Sequence, residues 1–168
     1  MGRQPATCSR GFGLSGKTSL KKEISEIFAR DMGRPEKAAA IAAWLKAKQG
    51  YHWVGLYDVG KDNISAVAWT GIEPPAFPTF PINQGLNGAA VTAKRPVVVQ
   101  DVRKDPRYLT TFGATRSELI MPVFSGDGAV IGTIDVESDR VGAFAPDDEV
   151  FLKEFASEIR DLWKDKNG

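Results

Sequence analysis

Glu118, Asp135 and Glu137 are the side chains best placed by sequence to do chemistry together. Glu118 opens an apolar run to Phe124, and Val130 to Glu137 forms a second run. Ser125-Gly126-Asp127-Gly128 lies between them and predicts a hairpin turn. Successive residues of a strand face opposite ways, so Ile131, Thr133, Asp135 and Glu137 share one face, and Val130, Gly132, Ile134 and Val136 the other. Glu118 joins the acids if the hairpin register allows it. By the same parity Trp53, Gly55 and Tyr57 share a face of an earlier strand. Aromatic walls, a glycine that leaves room and several carboxylates together describe a pocket for a small polar metabolite, with amine-bearing ligands favoured.

Two other readings stand beside that one. The acids could lie at a solvated sheet end or pair with a loop arginine, Arg103, Arg107 or Arg116. Alternatively, Asp135-Val136-Glu137-Ser138-Asp139 offers hard oxygen ligands to a cation, although it lacks the glycine-punctuated loop of a calcium hand. We expect no metal and no other cofactor. Gly11-Phe12-Gly13-Leu14-Ser15-Gly16-Lys17-Thr18 matches a phosphate-binding loop in letters. The chemistry needs a buried strand to aim the loop amides, and Met1 to Arg10 contains none, so no nucleotide site is expected. His52 has no cysteine or serine partner and reads as structural. Cys8 is the single cysteine of the chain, which excludes an internal disulfide.

The elements that must position these residues follow from periodicity. Residues 1–18 carry Arg3, Arg10 and Lys17, no acid and no apolar period, and read as a flexible arm. Leu20, Ile24, Ile27 and Phe28 then recur at helical spacing to about Asp31. Pro35 opens a second helix that buries Ala38, Ile41 and Leu45 and stops at Gly50. A strand around Trp53 to Tyr57 and another from Ile64 to Thr70 follow. Glu73 to Pro81 is too rich in proline for a central strand and predicts a loop with a short edge strand. Gly85 to Thr92 predicts a short helix, Val97 to Val99 a brief strand, and Asp101 to Thr115 a loop or broken helix. The last helix opens on Pro146-Asp147-Asp148-Glu149, acids that suit a helix N-terminus. The order implies an α+β fold, with terminal helices on one face of an antiparallel sheet and the middle segment over a pocket on the other.

The composition sets the remaining bounds. A chain of 168 residues with 42% hydrophobic and 26% charged residues can bury one ordinary core. A net charge of +1 supplies no field for nucleic acid or an anionic membrane, and no run is apolar enough to span one. The cytoplasm is the default location. Phe28, Phe151, Leu162 and Trp163 give the terminal helices more apolar surface than one sheet face needs, which predicts a homodimer through them.

From about Tyr51 to Ile159 the chain resembles a GAF domain, a PAS-like α+β fold. The residues that carry the resemblance are Val99-Gln100-Asp101-Val102-Arg103-Lys104-Asp105-Pro106-Arg107-Tyr108, Arg116-Ser117-Glu118-Leu119-Ile120-Met121-Pro122-Val123, Gly132-Thr133-Ile134-Asp135-Val136-Glu137-Ser138 and Phe144-Ala145-Pro146-Asp147-Asp148-Glu149. It implies one GAF domain over residues 19–168. Tyr51-His52-Trp53-Val54-Gly55-Leu56-Tyr57 and Gly85-Leu86-Asn87-Gly88 are similar to the stand-alone free methionine-R-sulfoxide reductases. In those enzymes cysteines attack the sulfoxide and resolve the sulfenic acid, while the corresponding acids and Trp/Tyr wall contact substrate. The matching cysteine positions are Phe77, Asn87 and Thr111, none of which carries sulfur. The resemblance therefore implies a ligand site of Trp53, Tyr57, Asn87, Thr111, Glu118, Asp135 and Glu137 with no catalytic residue. The expectation is a non-catalytic sensor module in signalling that acts through a partner protein, with a reductase-like enzyme or a structural dimerisation module as alternatives.

Overall fold

The computed structural model describes residues 14–110 and 113–164. The chain begins with α1 (Leu14–Phe28), which turns Leu20, Ile24 and Ile27 inward at the spacing of one helical face. In α2 (Arg34–Gln49) proline occupies the first turn, where its missing N–H leaves no bond unmade. The helix stops at Gly50, whose φ of 74° lets its amide cap the Lys46 carbonyl. The strands and remaining helices follow as β1 (Trp53–Val59), β2 (Asn63–Thr70), β3 (Thr79–Pro81), α3 (Gly85–Ala93), β4 (Val97–Val99), β5 (Ser117–Phe124), β6 (Val130–Ser138) and α4 (Pro146–Glu158). Short 3-10 turns occupy Val102–Lys104 and Arg160–Trp163. The Asp148 carboxylate accepts from the Ala145 amide and closes the start of α4.

The strands form one antiparallel sheet in the order β3-β2-β1-β6-β5-β4. Its two faces have different company. Val54, Leu56, Leu119, Met121, Val123, Ile134 and Val136 pack beneath α1, α2 and α4 in the main core. The opposite face is covered by the middle of the chain: Leu86 and Ala90 of α3 pack with Ile120 and Val99, and Phe80 packs with Trp53, Tyr57 and Ile64. This is the expected α+β arrangement.

Several expectations need correction. Helix α1 begins at Leu14, so residues 14–18 are helical instead of belonging to an arm. Ser15, Gly16, Lys17 and Thr18 of the phosphate-loop pattern lie in that helix, whereas Gly11 to Gly13 and Cys8 fall outside the described residues. Ile131 packs with the helix-side core, not with the acids. The cause is a register shift: Val123 pairs with Gly132 and Phe124 with Val130, so the pairing with β5 passes over Ile131 and parity breaks there. Finally, Phe151, Leu162 and Trp163 are buried within the chain and Phe28 packs partly buried against the same core, so the surplus apolar surface expected of these residues is taken up by the fold itself.

Trp163 is seated by a glycine. A Cβ on Gly132 would come within 2.2 Å of its indole, and the indole N–H donates to the Tyr57 carbonyl at 3.2 Å. The C-terminal turn is thereby fixed to the two central strands. Trp163→Ala should cost about 3–5 kcal/mol in urea denaturation, as removal of a buried tryptophan does. An unchanged midpoint and slope would mean that the tryptophan is not packed there.

Candidate functional site

The hairpin register decides the site. Glu118 lies opposite Glu137 across β5 and β6, and Ile120 lies opposite Asp135. On the other side of β6, Trp53 pairs with Glu137, Gly55 with Asp135 and Tyr57 with Thr133. The alternate residues of three adjacent strands thus converge on the face covered by α3. Ligating oxygens of Glu118, Asp135 and Glu137 lie within 4.8 Å of one another. These residues are only 5%, 4% and 1% exposed. Gly55 makes the aromatic wall possible, since a Cβ there would meet the Trp53 ring at 2.4 Å and the Tyr57 ring at 2.8 Å. The Trp53 indole donates to the Glu73 carbonyl at 3.1 Å, and Tyr57 meets Phe80 edge-on with centroids 5.9 Å apart.

Asn87 enters from α3. Its amide donates to Asp135 Oδ2 at 2.9 Å, and its carbonyl accepts from Thr133 Oγ1 at 2.5 Å. Thr115 donates to Glu137 Oε2. Asp135 Oδ1, by contrast, is buried with no hydrogen-bond partner among the described residues. The three candidate arginines are engaged elsewhere. Arg103 pairs with Asp101, Arg107 pairs with Asp105, and Arg116 donates to the carbonyls of Gly113 and Thr115. Neither solvation nor an arginine pair accounts for the acids.

Burial therefore acts on carboxyls that none of the three candidate arginines neutralises. It raises Glu118 well above the ordinary carboxyl range, with repulsion from Asp135, Glu137 and Asp105 adding to it. Burial raises Asp135 too, reinforced by Glu137 and opposed by the Asn87 hydrogen bond. Tyr57 is pushed up by burial and by all three acids, which holds its hydroxyl protonated as a donor. The arrangement can accept a cation, or share protons when empty. An ammonium group would meet carboxylate oxygens with aromatic faces beside them. A hard divalent ion would find the same three oxygen donors.

Of the expected ligand residues, Trp53, Tyr57, Asn87, Glu118, Asp135 and Glu137 come together, and Thr111 lies outside the described residues. Phe77 is 45% exposed. The residues missed as site members are Thr115 and Thr133, both buried against the acids or their partner. Thr133 was readable from its shared parity with Asp135. Thr115 precedes β5, and strand alternation carries no information about where its hydroxyl goes.

Comparisons with known proteins agree with this architecture. A protein-family model described as GAF domain matches residues 38–163. The GAF domain-containing protein A of Dictyostelium discoideum is 28% identical over 135 residues, covering 80% of this chain and 84% of that protein. The free methionine-R-sulfoxide reductase of Saccharomyces cerevisiae is 34% identical over 76 residues, 45% of this chain and 42% of that protein. Among solved structures, the free methionine-R-sulfoxide reductase of Neisseria meningitidis in complex with its substrate superposes with a TM-score of 0.78 at 29% identity, covering 89% of each chain. The type II free methionine-R-sulfoxide reductase of Thermoplasma acidophilum gives a TM-score of 0.71 at 30% identity, over 85% of this chain and 94% of that one. These relatives overturn the expectation of a chain that is not an enzyme. Missing thiols at three positions suggested it, yet relatives that share this sheet and sequence include reductases. Over three quarters of its length, with the expected sheet and helices in place, the chain belongs to the GAF domain family.

Proposed function

We propose that this chain is an enzyme of the free methionine-R-sulfoxide reductase type, whose acidic pocket takes the ammonium group of a free amino acid. The observation that carries the reading is the group of three buried carboxylates, Glu118, Asp135 and Glu137, with every candidate arginine engaged elsewhere. An ammonium ion relieves their repulsion, and Trp53 and Tyr57 flank the aliphatic part of the amino acid. Such burial means that substrate enters only when the covering middle segment opens.

Reduction of a sulfoxide takes two electrons. A thiolate attacks the sulfoxide sulfur while an acid protonates its oxygen, the thioether leaves as the oxygen passes to the thiol as a sulfenic acid, and a second thiol condenses with it to a disulfide and water. Glu118, held protonated by burial, is an acid suited to the oxygen. Phe77, Asn87 and Thr111 carry no sulfur, so the two thiols come from an added dithiol or from Cys8 with a thiol partner. Dithiothreitol-dependent loss of free methionine-R-sulfoxide, removed by Asp135→Asn, is the expected result. Cys8→Ser separates the two thiol sources. Turnover that survives Asp135→Asn, or none under any thiol, contradicts the enzyme reading.

Binding is measurable apart from turnover. At 100 times its dissociation constant, free methionine sulfoxide should stabilise the fold by about 2.7 kcal/mol. For a domain of this size that is a melting shift of roughly 5–10 °C. Amines without a carboxylate should shift it less, and Asp135→Asn should abolish the shift. Stabilisation by magnesium or calcium alone, with no response to amino acids, would favour the cation reading instead.

The empty pocket also burdens the fold. Carboxyls whose folded values are raised favour the folded state below their ordinary range of about 4, and that advantage is lost as pH rises through the folded values. Without ligand, the melting temperature should fall from mildly acidic pH toward pH 8. Glu118→Gln should flatten that fall and melt higher at pH 8, by about 2–4 °C for each kcal/mol released. A Glu118→Gln variant that melts lower than the parent at pH 8 would show that the glutamate is stabilising there.

A further inference from the structure

Asn87 makes two buried side-chain bonds that together settle its orientation. Its NH2 group donates to Asp135 Oδ2 at 2.9 Å, and its carbonyl accepts from Thr133 Oγ1 at 2.5 Å. In the ionised form that amine binding requires, the Asp135 carboxylate can only accept, so the amide nitrogen then faces Asp135 and the carbonyl faces the hydroxyl. Thr133 and Asp135 are alternate residues on one face of β6, and both are buried. The residue after Asn87 holds the helix in register. A Cβ on Gly88 would come within 2.7 Å of Asn83 and 2.8 Å of Ile82 backbone, so only a glycine lets α3 sit this close to the preceding turn. Asn87 is therefore fixed from the backbone as well as from the sheet.

The consequence falls on Asp135. One carboxylate oxygen is held by Asn87, and the other, Oδ1, has no partner among the described residues although it is fully buried. A carboxylate pinned through one oxygen presents the second in one direction. We propose that Asn87 is a positioning residue for amine recognition: by holding Asp135 Oδ2, it aims Oδ1 at the ammonium group of the bound amino acid. The inference rests on the amino-acid-binding reading above and assigns the helix residue a duty in it that needs no sulfur. It also makes Thr133 the brace that keeps the amide from turning over.

The groups facing Asp135 define what a pH profile reports. They are Glu137 on the same strand, Glu118 from β5 and the phenol of Tyr57 from β1, while α3 contributes no titratable side chain. The Asn87 bond favours the ionised form of Asp135. Ammonium binding needs that form, so binding should strengthen as pH rises through its titration.

The test is calorimetric titration of the full chain with free methionine-R-sulfoxide from pH 5 to pH 9. Asn87→Leu keeps the volume and removes both bonds. It should weaken binding at pH 6 about tenfold or more, the effect of losing one buried hydrogen bond to a charged group. It should also move the rise in affinity to higher pH, and Asn87→Asp, which adds a carboxylate, should move it further. Thr133→Val, which leaves Asn87 in place, should give a smaller shift in the same direction and keeps the test open if the Asn87 variants fold poorly. An equal loss of affinity at every pH, with no displacement of the profile, would overturn the positioning role. A parent protein that does not bind the amino acid at any pH would instead overturn the reading on which it rests.

Discussion

Like charges repel, and the repulsion grows as water is withdrawn from between them. Oxygens of Glu118, Asp135 and Glu137 are held within 4.8 Å of one another at a depth where little solvent remains. Much of the chain can be understood as meeting that constraint. An arginine would have neutralised the group at once, but Arg103, Arg107 and Arg116 are each tied to partners of their own loops. What remains is relief by protonation when the pocket is empty and by a cation when it is filled. A site of this kind destabilises its own scaffold in exchange for affinity, a common feature of functional sites.

The scaffold supports the strain through its central strands. Strands β1 and β6 are flanked on both sides by paired neighbours, so their backbone cannot shift to separate the acids. Each carries a glycine with a different task. Gly55 opens space on the pocket face for the rings of Trp53 and Tyr57, and Gly132 opens space on the helix face for Trp163. The second contact reaches the pocket as well, because the Trp163 indole bonds to the Tyr57 carbonyl. Across the helix side, the Arg34 guanidinium bridges the Asp58 carboxylate at 2.6 Å and the Leu162 carbonyl at 2.8 Å. The strand that carries the aromatic wall is thus fixed to the turn at Arg160–Trp163.

Legibility in the sequence followed the range of the interactions involved. Alternation along β1 and β6 placed Trp53, Tyr57, Asp135 and Glu137 correctly, because a strand's own geometry sets which residues share a face. Glu118 depended on hairpin register, which the Ser125 to Gly128 turn constrained without fixing. The same reasoning failed at Ile131, where a bulge shifts parity by one residue and no local signal announces it. Helix α1 began earlier than expected because residues 14–18 lack the apolar period that marks a buried face. Phe151, Leu162 and Trp163 looked surplus because the size of the groove between α1, α2 and α4 is a tertiary property. The network of Asn87, Thr133 and Asp135 joins residues 46 and 48 positions apart, beyond the reach of any periodicity. The activity class was misjudged for another reason: missing cysteines describe three positions, whereas similarity in sequence and sheet over most of the chain describes a family.

Proton exchange on binding is the most direct test of the central claim that the pocket acids exchange protons for a cation. Calorimetric titration of the chain with free methionine-R-sulfoxide at pH 7, in buffers of different ionisation enthalpy, measures the protons exchanged per ligand bound. If burial holds Glu118 or Asp135 protonated in the empty site, an ammonium group must displace a proton, and net release to the buffer is predicted. Binding with no proton exchange, or with net uptake, would contradict the account.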